Sequence, residues 1–208
     1  MEIEQAYNIW AKDYDQTRNR TRDLERLAMI NCLGDLDLKI TNCLEVGCGT
    51  GKNTDWLCSK SDQVLSIDIS ERMLQAAKKK VKHKNVRFEK HDIRENWNFK
   101  LLDFQLITFS LVVAHVENLD KLLMNACKHL NKNGHIYIGE MHPYKFYSGS
   151  KAWFNDGLNE VHTFTHNISD YLFWANKNDL QIISLQEFFD DDNRKTVPRI
   201  LSLLLKKY

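Results

Sequence analysis

Leu44-Glu45-Val46-Gly47-Cys48-Gly49-Thr50-Gly51 is the stretch that decides the fold of this 208-residue chain. A β-like apolar run, Asn42–Val46, leads into three alternating glycines, and a helical pattern over 52–58 follows at once. Because glycine lacks a Cβ, a strand–loop–helix turn of this kind lets a ligand approach the backbone closely. The next apolar run ends in an acidic residue, Asp68. These features predict a binding site for a cofactor that contains adenosine.

The composition is typical of one globular domain. A chain of 208 residues is long enough for one well-buried core and short for two, so we expect a single domain spanning 1–208. Lys and Arg number 29 against 28 Asp and Glu, and this balance does not favour nucleic acid or an anionic membrane as a partner. The apolar runs are too short to span a bilayer, and the N-terminus lacks the features of a signal peptide. Five cysteines without a CxxC pair predict reduced thiols, and together these features predict a cytoplasmic protein.

Strand-like and helix-like patterns alternate along the chain. Helical spacing of apolar residues predicts helices around 73–81, 119–130 and 168–177. Such alternation specifies an α/β fold: a doubly wound, seven-stranded, mostly parallel sheet with helices on both faces and ligands at the carboxyl ends of its strands. The predicted strands are Asn42–Val46, Gln63–Ile67, Val86–Glu89, Phe104–Phe109, His135–Met141, Gln181–Phe188 and Arg199–Lys206.

Two features complete the predicted architecture. Only the short charged stretch Asp190–Asn193 and its neighbours join the last two strands, which allows a hairpin but no helical crossover, so the last strand should be antiparallel.

Residues 1–38 carry helical patterns outside the sheet, and 142–167 form a long connection rich in His, Tyr and Phe. Long connections are commonly lids or binding loops. We therefore expect 1–38 to form an N-terminal helical lid and 142–167 to form a loop on the substrate side.

The spacing of the glycines discriminates between cofactors. A dinucleotide-binding turn has GxGxxG spacing, but Lys52 stands where its third glycine would be. Glu45 lies two residues before the first glycine, and a carboxylate there disfavours a pyrophosphate and favours a cationic ligand. S-adenosylmethionine carries an ammonium and a sulfonium but no phosphate. The charge argument therefore favours S-adenosylmethionine over NAD or FAD.

Residues 40–140 resemble a class I S-adenosylmethionine-dependent methyltransferase of the small-molecule type. The segment from Glu45 to Gly51 matches the family motif E/D-x-G-x-G-x-G. The resemblance implies that Gly47, Gly49 and Gly51 admit the methionine portion of the cofactor and that Glu45 lies near its charged amine. The glycines alone would also suit a tight turn that binds nothing, but the acidic strand ends that follow favour the cofactor site.

The same resemblance assigns roles to residues at two later strand ends. Asp68 matches the acidic residue that accepts both ribose hydroxyls, and Asp92 matches the one that accepts from the adenine amino group. Ile69 and Met73 match apolar positions that flank the adenine, and Ile93 would pack beside it. Carboxylates suit these roles because they accept hydroxyl or amine hydrogens without a metal. For Asp68 alone, a solvated strand end or a helix N-cap is the alternative.

Candidate catalytic residues follow the fourth and fifth predicted strands. The segment Phe109–Asn118 resembles the part of small-molecule methyltransferases that faces the methyl group, and the family often has a histidine where His115 stands. A histidine that caps the next helix is the alternative for His115. Ser110 is expected to contribute its backbone to the cofactor site. Glu140 and His142 should emerge near the mouth of the pocket, as two further catalytic candidates.

The N-terminal segment offers further contacts. The pattern Trp10-Ala11-x-x-Tyr14-Asp15 resembles the N-terminal lid of small-molecule methyltransferases, where the tyrosine approaches the cofactor; a packed helix face is the alternative. The nearby arginines 18, 20 and 22 either bind a substrate carboxylate or lie on the surface. No metal is expected, because the histidines lack a ligand spacing such as HExxH.

The predicted function is transfer of a methyl group from S-adenosylmethionine to oxygen or nitrogen of a small-molecule acceptor. A general base is needed only if the acceptor is protonated at the working pH. Three alternatives stay open. The lysine-rich run 78–84 would suit an RNA or protein methyltransferase, although a solvated helix end explains it too. A non-catalytic, regulatory S-adenosylmethionine-binding module and an enzyme that transfers another group would share the fold.

Overall fold

A seven-stranded sheet organises the computed structural model, which describes residues 2–16, 18–34, 36, 38–99, 103–150, 152–154 and 159–208. A two-stranded hairpin lies outside this sheet. In chain order the strands are β1 (Ile40–Val46), β2 (Ser61–Asp68), β3 (Val86–Lys90), β4 (Phe104–Ser110), β5 (Leu130–Met141), β6 (Ala152–Phe154), β7 (Asn159–Val161), β8 (Leu180–Phe188) and β9 (Ile200–Lys207).

The strand order of the main sheet is β3-β2-β1-β4-β5-β9-β8, with β6 and β7 forming the hairpin. Strands β1 to β5 pair in parallel, and β9 runs antiparallel to both β5 and β8. The chain leaves β1 in one direction along the sheet and returns through β4 in the other, so the carboxyl ends of β1 and β4 flank a switch point where ligands bind. The predicted doubly wound sheet with an antiparallel last strand is confirmed.

Helices cover the sheet on both faces, because successive strand residues alternate between two apolar clusters. Ile136 and Ile138 pack with α5 and α7, and Tyr137 between them packs with α2 and α3. The helices are α1 (Ile3–Trp10), α2 (Arg20–Gly34), α3 (Thr54–Lys60), α4 (Glu71–Lys80), α5 (Leu119–His129), α6 (Pro143–Tyr147) and α7 (Ile168–Lys177). None of the helices in the described residues is both long enough and apolar enough to cross a lipid bilayer.

Side-chain caps explain where several helices begin. The Ser70 hydroxyl accepts the backbone N–H of Met73 at 3.1 Å, and Asn118 Oδ1 accepts that of Lys121 at 2.9 Å. These bonds satisfy donors that a first helical turn leaves free. Helix α3 begins later than its apolar pattern predicts, because the backbone from 47 to 53 still follows the glycine turn.

The structure differs from the predicted elements at two further places. Strand β5 begins at Leu130, five residues earlier than predicted, because α5 ends at His129 and the chain turns directly into the sheet. The hairpin of β6 and β7 lies within the segment 142–167, where no strand was predicted. Its last residue, Val161, is fully buried together with Ala6 of α1. The hairpin thus joins α1 above the sheet.

The glycine turn generates a stability prediction. Gly51 has φ +80°, and an added Cβ would lie 2.8 Å from Cγ2 of Val81. Gly51→Ala should therefore lower the free energy of unfolding by about 2–4 kcal/mol, through left-handed backbone strain and overpacking together. Urea unfolding followed by circular dichroism measures it.

Gly149→Ala is the matched control, because Gly149 has φ +87° but no atom within 4 Å of an added Cβ. The free energy of unfolding of this variant should fall by about 1–2 kcal/mol, because only the left-handed backbone conformation is strained. Equal losses in the two variants would show that the contact with Val81 contributes nothing.

Candidate active site

The glycine turn after β1 holds its shape through backbone hydrogen bonds to the neighbouring strand. The N–H groups of Gly47 and Cys48 both donate to the carbonyl oxygen of Ile67, at 2.8 and 3.0 Å. Gly47 has φ +72°, and a Cβ there would lie 2.8 Å from Cγ2 of Val112. Gly47 and Gly49 both line a cavity at the carboxyl ends of β1, β2 and β4. We call it the first cavity; its volume is about 110 Å³.

Most of the residues predicted to hold the cofactor lie together in the first cavity. Gly51 and Met73 do not. Gly51 faces α4, where its missing side chain leaves room for Val81 and Ala77. Met73 is fully buried in α4 and does not line the cavity, so its place beside the adenine stays a prediction. The predicted residues that line the cavity are Tyr14, Glu45, Gly47, Gly49, Asp68, Ile69, Asp92, Ile93, Ser110 and His115.

Asp68 joins the end of β2 to the glycine turn. Its Oδ2 accepts the N–H of Gly49 at 2.8 Å, and its Oδ1 accepts the N–H of Ser70 at 2.8 Å. Burial raises the pKa of the Asp68 carboxyl to about 6, against the effect of these backbone donors. A carboxylate has about four lone-pair sites, so two hydrogen bonds leave capacity for a pair of hydroxyls on a ligand.

Glu45 is buried at the base of the first cavity. Its Oε2 accepts the hydroxyls of Thr54 and Ser66, each at 2.6 Å. Burial raises the pKa of the Glu45 carboxyl to about 7, while these two hydrogen bonds act in the opposite direction. A cationic ligand in the cavity would favour the ionised form of this carboxyl.

The far end of the first cavity is formed after β3. Arg94 binds both carboxylate oxygens of Asp92, with Nη2 at 2.6 Å from Oδ2 and Nε at 2.9 Å from Oδ1. The arginine therefore competes for the acceptor that the resemblance assigns to an adenine amino group. Ile69 and Ile93 lie in the same wall. His91 adds a buried Nε2 that makes no hydrogen bond within the described residues.

Tyr14 closes the first cavity opposite the glycine turn, since a Cβ on Gly49 would lie 4.0 Å from Cε1 of Tyr14. The guanidinium of Arg22 lies 3.9 Å from the centroid of the Tyr14 ring, and its Nη1 donates to the Tyr14 carbonyl at 2.6 Å. Trp10 packs edge-on against the same ring, with centroids 4.9 Å apart. Of the three arginines noted in the sequence, Arg22 lines the cavity.

A second cavity of about 190 Å³ adjoins the first. It lies between α1, the end of β5 and α6, and it is lined by aromatic and small polar side chains. The residues that line both cavities are Tyr7, Tyr14, Arg22, Leu111 and His115.

His115 stands at the junction of the two cavities with one ring nitrogen held by the backbone. Its Nδ1 lies 3.3 Å from the carbonyl oxygen of His162, and its Nε2 lies 2.7 Å from the hydroxyl of Tyr7. Because a carbonyl only accepts, Nδ1 carries the hydrogen and Nε2 accepts from Tyr7. Burial lowers the pKa of His115 and raises that of Tyr7 well above its usual value. The pair therefore favours a neutral imidazole and a neutral phenol.

Glu140 lines the second cavity at the end of β5. Its Oε2 accepts the N–H of Ala114 at 3.1 Å, and its Oε1 accepts the N–H of Met141 at 2.8 Å. Burial raises the pKa of the Glu140 carboxyl to about 7. The prediction that Glu140 reaches the pocket is thus matched by its position, and its catalytic role stays a prediction.

His142 does not reach the mouth of either cavity, so its predicted position is wrong. The side chain is fully buried; Nε2 lies 2.9 Å from Oε1 of Glu187 on β8, and Nδ1 accepts the N–H of Tyr144 at 3.2 Å. His142 is the N-cap of α6, and it turns toward the edge of the sheet.

Glu25 of α2 is a cavity residue that the sequence did not reveal. It is 2% exposed and lines the first cavity, where burial raises its pKa to about 7. Asn53 Nδ2 donates to Oε2 at 3.0 Å, and the Tyr137 hydroxyl donates to Oε1 at 3.3 Å. A glutamate in a charged helix usually faces solvent, and only its place beside buried Ala28 and Met29 marks an inward face.

The donor set of the first cavity fits S-adenosylmethionine. Buried carboxylates suit its hydroxyls and its two positive charges, and Arg22 and Lys52 line the same cavity as partners for its carboxylate. When bound, this cofactor supplies an electrophilic methyl group on a sulfonium. In the part of the chain that the structure describes, no three His, Cys, Asp or Glu side chains form a cluster that could hold a metal ion.

Known proteins resemble this chain over the same region. A family model described as a methyltransferase domain matches residues 43–134. The demethylmenaquinone methyltransferase of Tropheryma whipplei is 30% identical over 151 residues, which are 70% of this chain and 62% of that protein. The ubiquinone biosynthesis O-methyltransferase of Pelagibacter ubique is 26% identical over 107 residues, 51% of this chain and 45% of that protein. The chain thus spans about half to two-thirds of the curated relatives it matches.

A solved structure extends the similarity in fold to nearly the whole chain. The N-methyltransferase NodS from Bradyrhizobium japonicum, in complex with S-adenosylhomocysteine, superposes with a TM-score of 0.71 at 16% identity. The match covers 98% of this chain and 97% of that one. Residues 43–134 thus match a methyltransferase domain, and nearly the whole chain has the fold of the class I S-adenosylmethionine-dependent methyltransferases.

Proposed function

We propose that this protein transfers a methyl group from S-adenosylmethionine to an oxygen or nitrogen atom of a small-molecule acceptor. The observation that carries the proposal is the junction of two cavities at His115. The first cavity has the donors for the cofactor, and the second has space for an acceptor beside it. In such a site, catalysis comes largely from holding the acceptor in line with the methyl group and excluding water.

The cover and the lining of the second cavity support a small acceptor. Its volume is about 190 Å³, and α1 and α6 lie above it. Trp10 and Phe146 contribute apolar surface, while Asn19, Thr21 and Thr163 contribute polar groups that would orient a ligand. Because side chains of α1 and α6 line this cavity, it suits a metabolite that can be enclosed better than a nucleotide within an RNA chain.

His115 is the residue best placed to accept a proton from the acceptor. Its Nε2 carries the lone pair, and the carbonyl of His162 fixes the ring by accepting from Nδ1. The Tyr7 hydroxyl donates a hydrogen bond to Nε2 at 2.7 Å. A hydroxyl or amine of the acceptor would replace Tyr7 in this hydrogen bond. The proton that the acceptor atom would lose on methylation would pass to Nε2, while the electrons of the broken carbon–sulfur bond would stay on the cofactor's sulfur.

The relatives leave the acceptor atom open, since two are named for quinone pathways and one as an N-methyltransferase. The lysine run offers little support for RNA. Lys78, Lys79 and Lys80 form the exposed last turn of α4, where cations stabilise a helix end, and Lys80 pairs with Asp15 at 3.2 Å. Salt-dependent association with tRNA would favour an RNA acceptor instead.

The test of the proposal is acceptor identification. The protein is incubated with methyl-labelled S-adenosylmethionine and a fractionated metabolite extract, and labelled products are identified by mass spectrometry. We expect label in a compound of metabolite size. Label only in RNA or protein fractions, or cofactor binding without any transfer, would contradict the proposal.

Asp68 generates a prediction on cofactor affinity. Asp68→Ala should weaken binding of S-adenosylmethionine by about 1–3 kcal/mol, because charge-assisted hydrogen bonds to the ribose are lost. Isothermal titration calorimetry measures the affinity. Asp62→Ala removes an exposed carboxylate from the start of the same strand and should bind as the unmodified protein does. Unchanged affinity in Asp68→Ala would refute the ribose contact.

His115 generates a prediction on rate. His115→Gln should lower kcat for the identified acceptor by about 10²–10⁴-fold, because the proton acceptor is lost, while the cofactor Kd changes little. His83→Gln replaces a surface histidine that pairs with Asp55, and it should leave both constants unchanged. A normal kcat in His115→Gln would assign His115 to structure alone.

Glu140 generates a prediction on pH. The pKa of Glu140 in the folded protein is about 7, above the ordinary 4.5. The stability that Glu140 contributes is therefore fully present below pH 4.5 and is lost as the pH rises through 7. Glutamine cannot ionise. As the pH rises from 5 to 8, the free energy of unfolding of Glu140→Gln should therefore increase by up to about 3 kcal/mol relative to that of the unmodified protein. Urea unfolding at both values measures the difference, with Glu117→Gln as the exposed control.

A further inference from the structure

We propose that Glu25 binds the α-ammonium group of the methionine portion of S-adenosylmethionine. The inference rests on the cofactor of the proposed function but not on the identity of the acceptor. It adds a residue from α2 to the cofactor site.

Among the described residues Glu25 forms no ion pair, since Lys52, whose charge acts on it, pairs with Asp23 instead. The side chain is 2% exposed, and its two hydrogen-bond donors, the Asn53 amide and the Tyr137 hydroxyl, are neutral. The ion pairs among the described residues do not include Glu25. A buried carboxylate without a cation is costly, so a positively charged ligand would stabilise this side chain.

The sheet provides a specific space for this carboxylate. Gly139 of β5 lies directly beneath it, and a Cβ on that glycine would lie 2.5 Å from Glu25 Oε1. The same Cβ would lie even closer to the Tyr137 hydroxyl. Any other residue at position 139 would thus displace both groups. The position of Glu25 is therefore built into the sheet and is not the chance orientation of a helix side chain.

The surroundings of Glu25 match an α-amino acid. Arg22 lies one turn earlier on α2, and it lines the first cavity together with Glu25 and Lys52. An α-amino acid group carries one ammonium and one carboxylate, so it needs an acidic and a basic partner side by side. Gly47 and Asn53 line the same cavity. The methionine portion therefore has both kinds of partner at the glycine turn.

Glu45 lines the same cavity as Glu25 and is a second carboxylate near the methionine portion. Two neutral hydroxyls, those of Thr54 and Ser66, already donate to its Oε2. Burial is the main cause that raises the pKa of Glu45 and of Glu140, and the negative charge of Glu25 raises both further. A cation held by Glu25 reduces the repulsion among these carboxyls.

The test compares two ligands in one variant. Isothermal titration calorimetry at pH 8 gives the Kd of S-adenosylhomocysteine and of 5′-methylthioadenosine, which lacks the whole amino-acid end. In Glu25→Gln, the Kd of S-adenosylhomocysteine should rise about 10- to 100-fold, because the ammonium then binds a neutral amide instead of a carboxylate. The Kd of 5′-methylthioadenosine should stay within about twofold, because the adenosine contacts are intact.

Two controls separate binding from structure. Tyr137→Phe removes a hydrogen bond to Glu25 but keeps its charge, so it should change the ligand preference much less than Glu25→Gln. If Glu25→Gln does not fold, Glu25→Asp provides the comparison, since it keeps the charge but withdraws it by one methylene. An unchanged Kd for S-adenosylhomocysteine, or equal weakening of both ligands, would overturn the inference. Failure to find an acceptor would affect only the proposed function.

Discussion

The hydrogen bond between the Gly49 N–H and Asp68 Oδ2 is the contact on which the site depends. It is possible only because the glycine turn adopts left-handed φ values, which allow the backbone after β1 to reach the end of β2. The turn thereby opens the first cavity at the switch point of the sheet and fixes the orientation of Asp68. The topology supplies the rest, since β4 and β5 end at the same edge and carry His115 and Glu140 to it.

Four buried carboxyls cluster at this edge of the sheet. Glu25, Glu45, Asp68 and Glu140 are all buried, and burial raises the pKa of each carboxyl to about 6 or 7. Such a group of acidic side chains makes the ligand-free protein costly to hold together near neutral pH. The same cost favours a ligand with two positive charges and no phosphate. The same carboxyls thus lower the stability of the ligand-free protein and favour a cationic cofactor over one that carries phosphate.

The sequence predicted the sheet well, because strand runs and helix faces carry strong periodicity and the glycine spacing is specific. The predicted cofactor residues that lie on strand ends, such as Asp68 and Asp92, do line the cavity. Prediction failed where a side-chain direction depends on tertiary packing. His142 turns away from both cavities toward Glu187, 45 positions later in the sequence. The sequence did not indicate that Glu25 lies in the site, because Gly139, which makes room for it, lies 114 positions later on β5.

The bond between Tyr7 and His115 links the first helix to the centre of the chemistry, across 108 positions of sequence. Tyr7 and Tyr14 line both cavities, so the N-terminal segment bounds the space next to the imidazole. Displacement of the Tyr7 phenol would let water reach His115 and relieve the desolvation that lowers its pKa. The basicity of His115 thus depends on a side chain of the first helix.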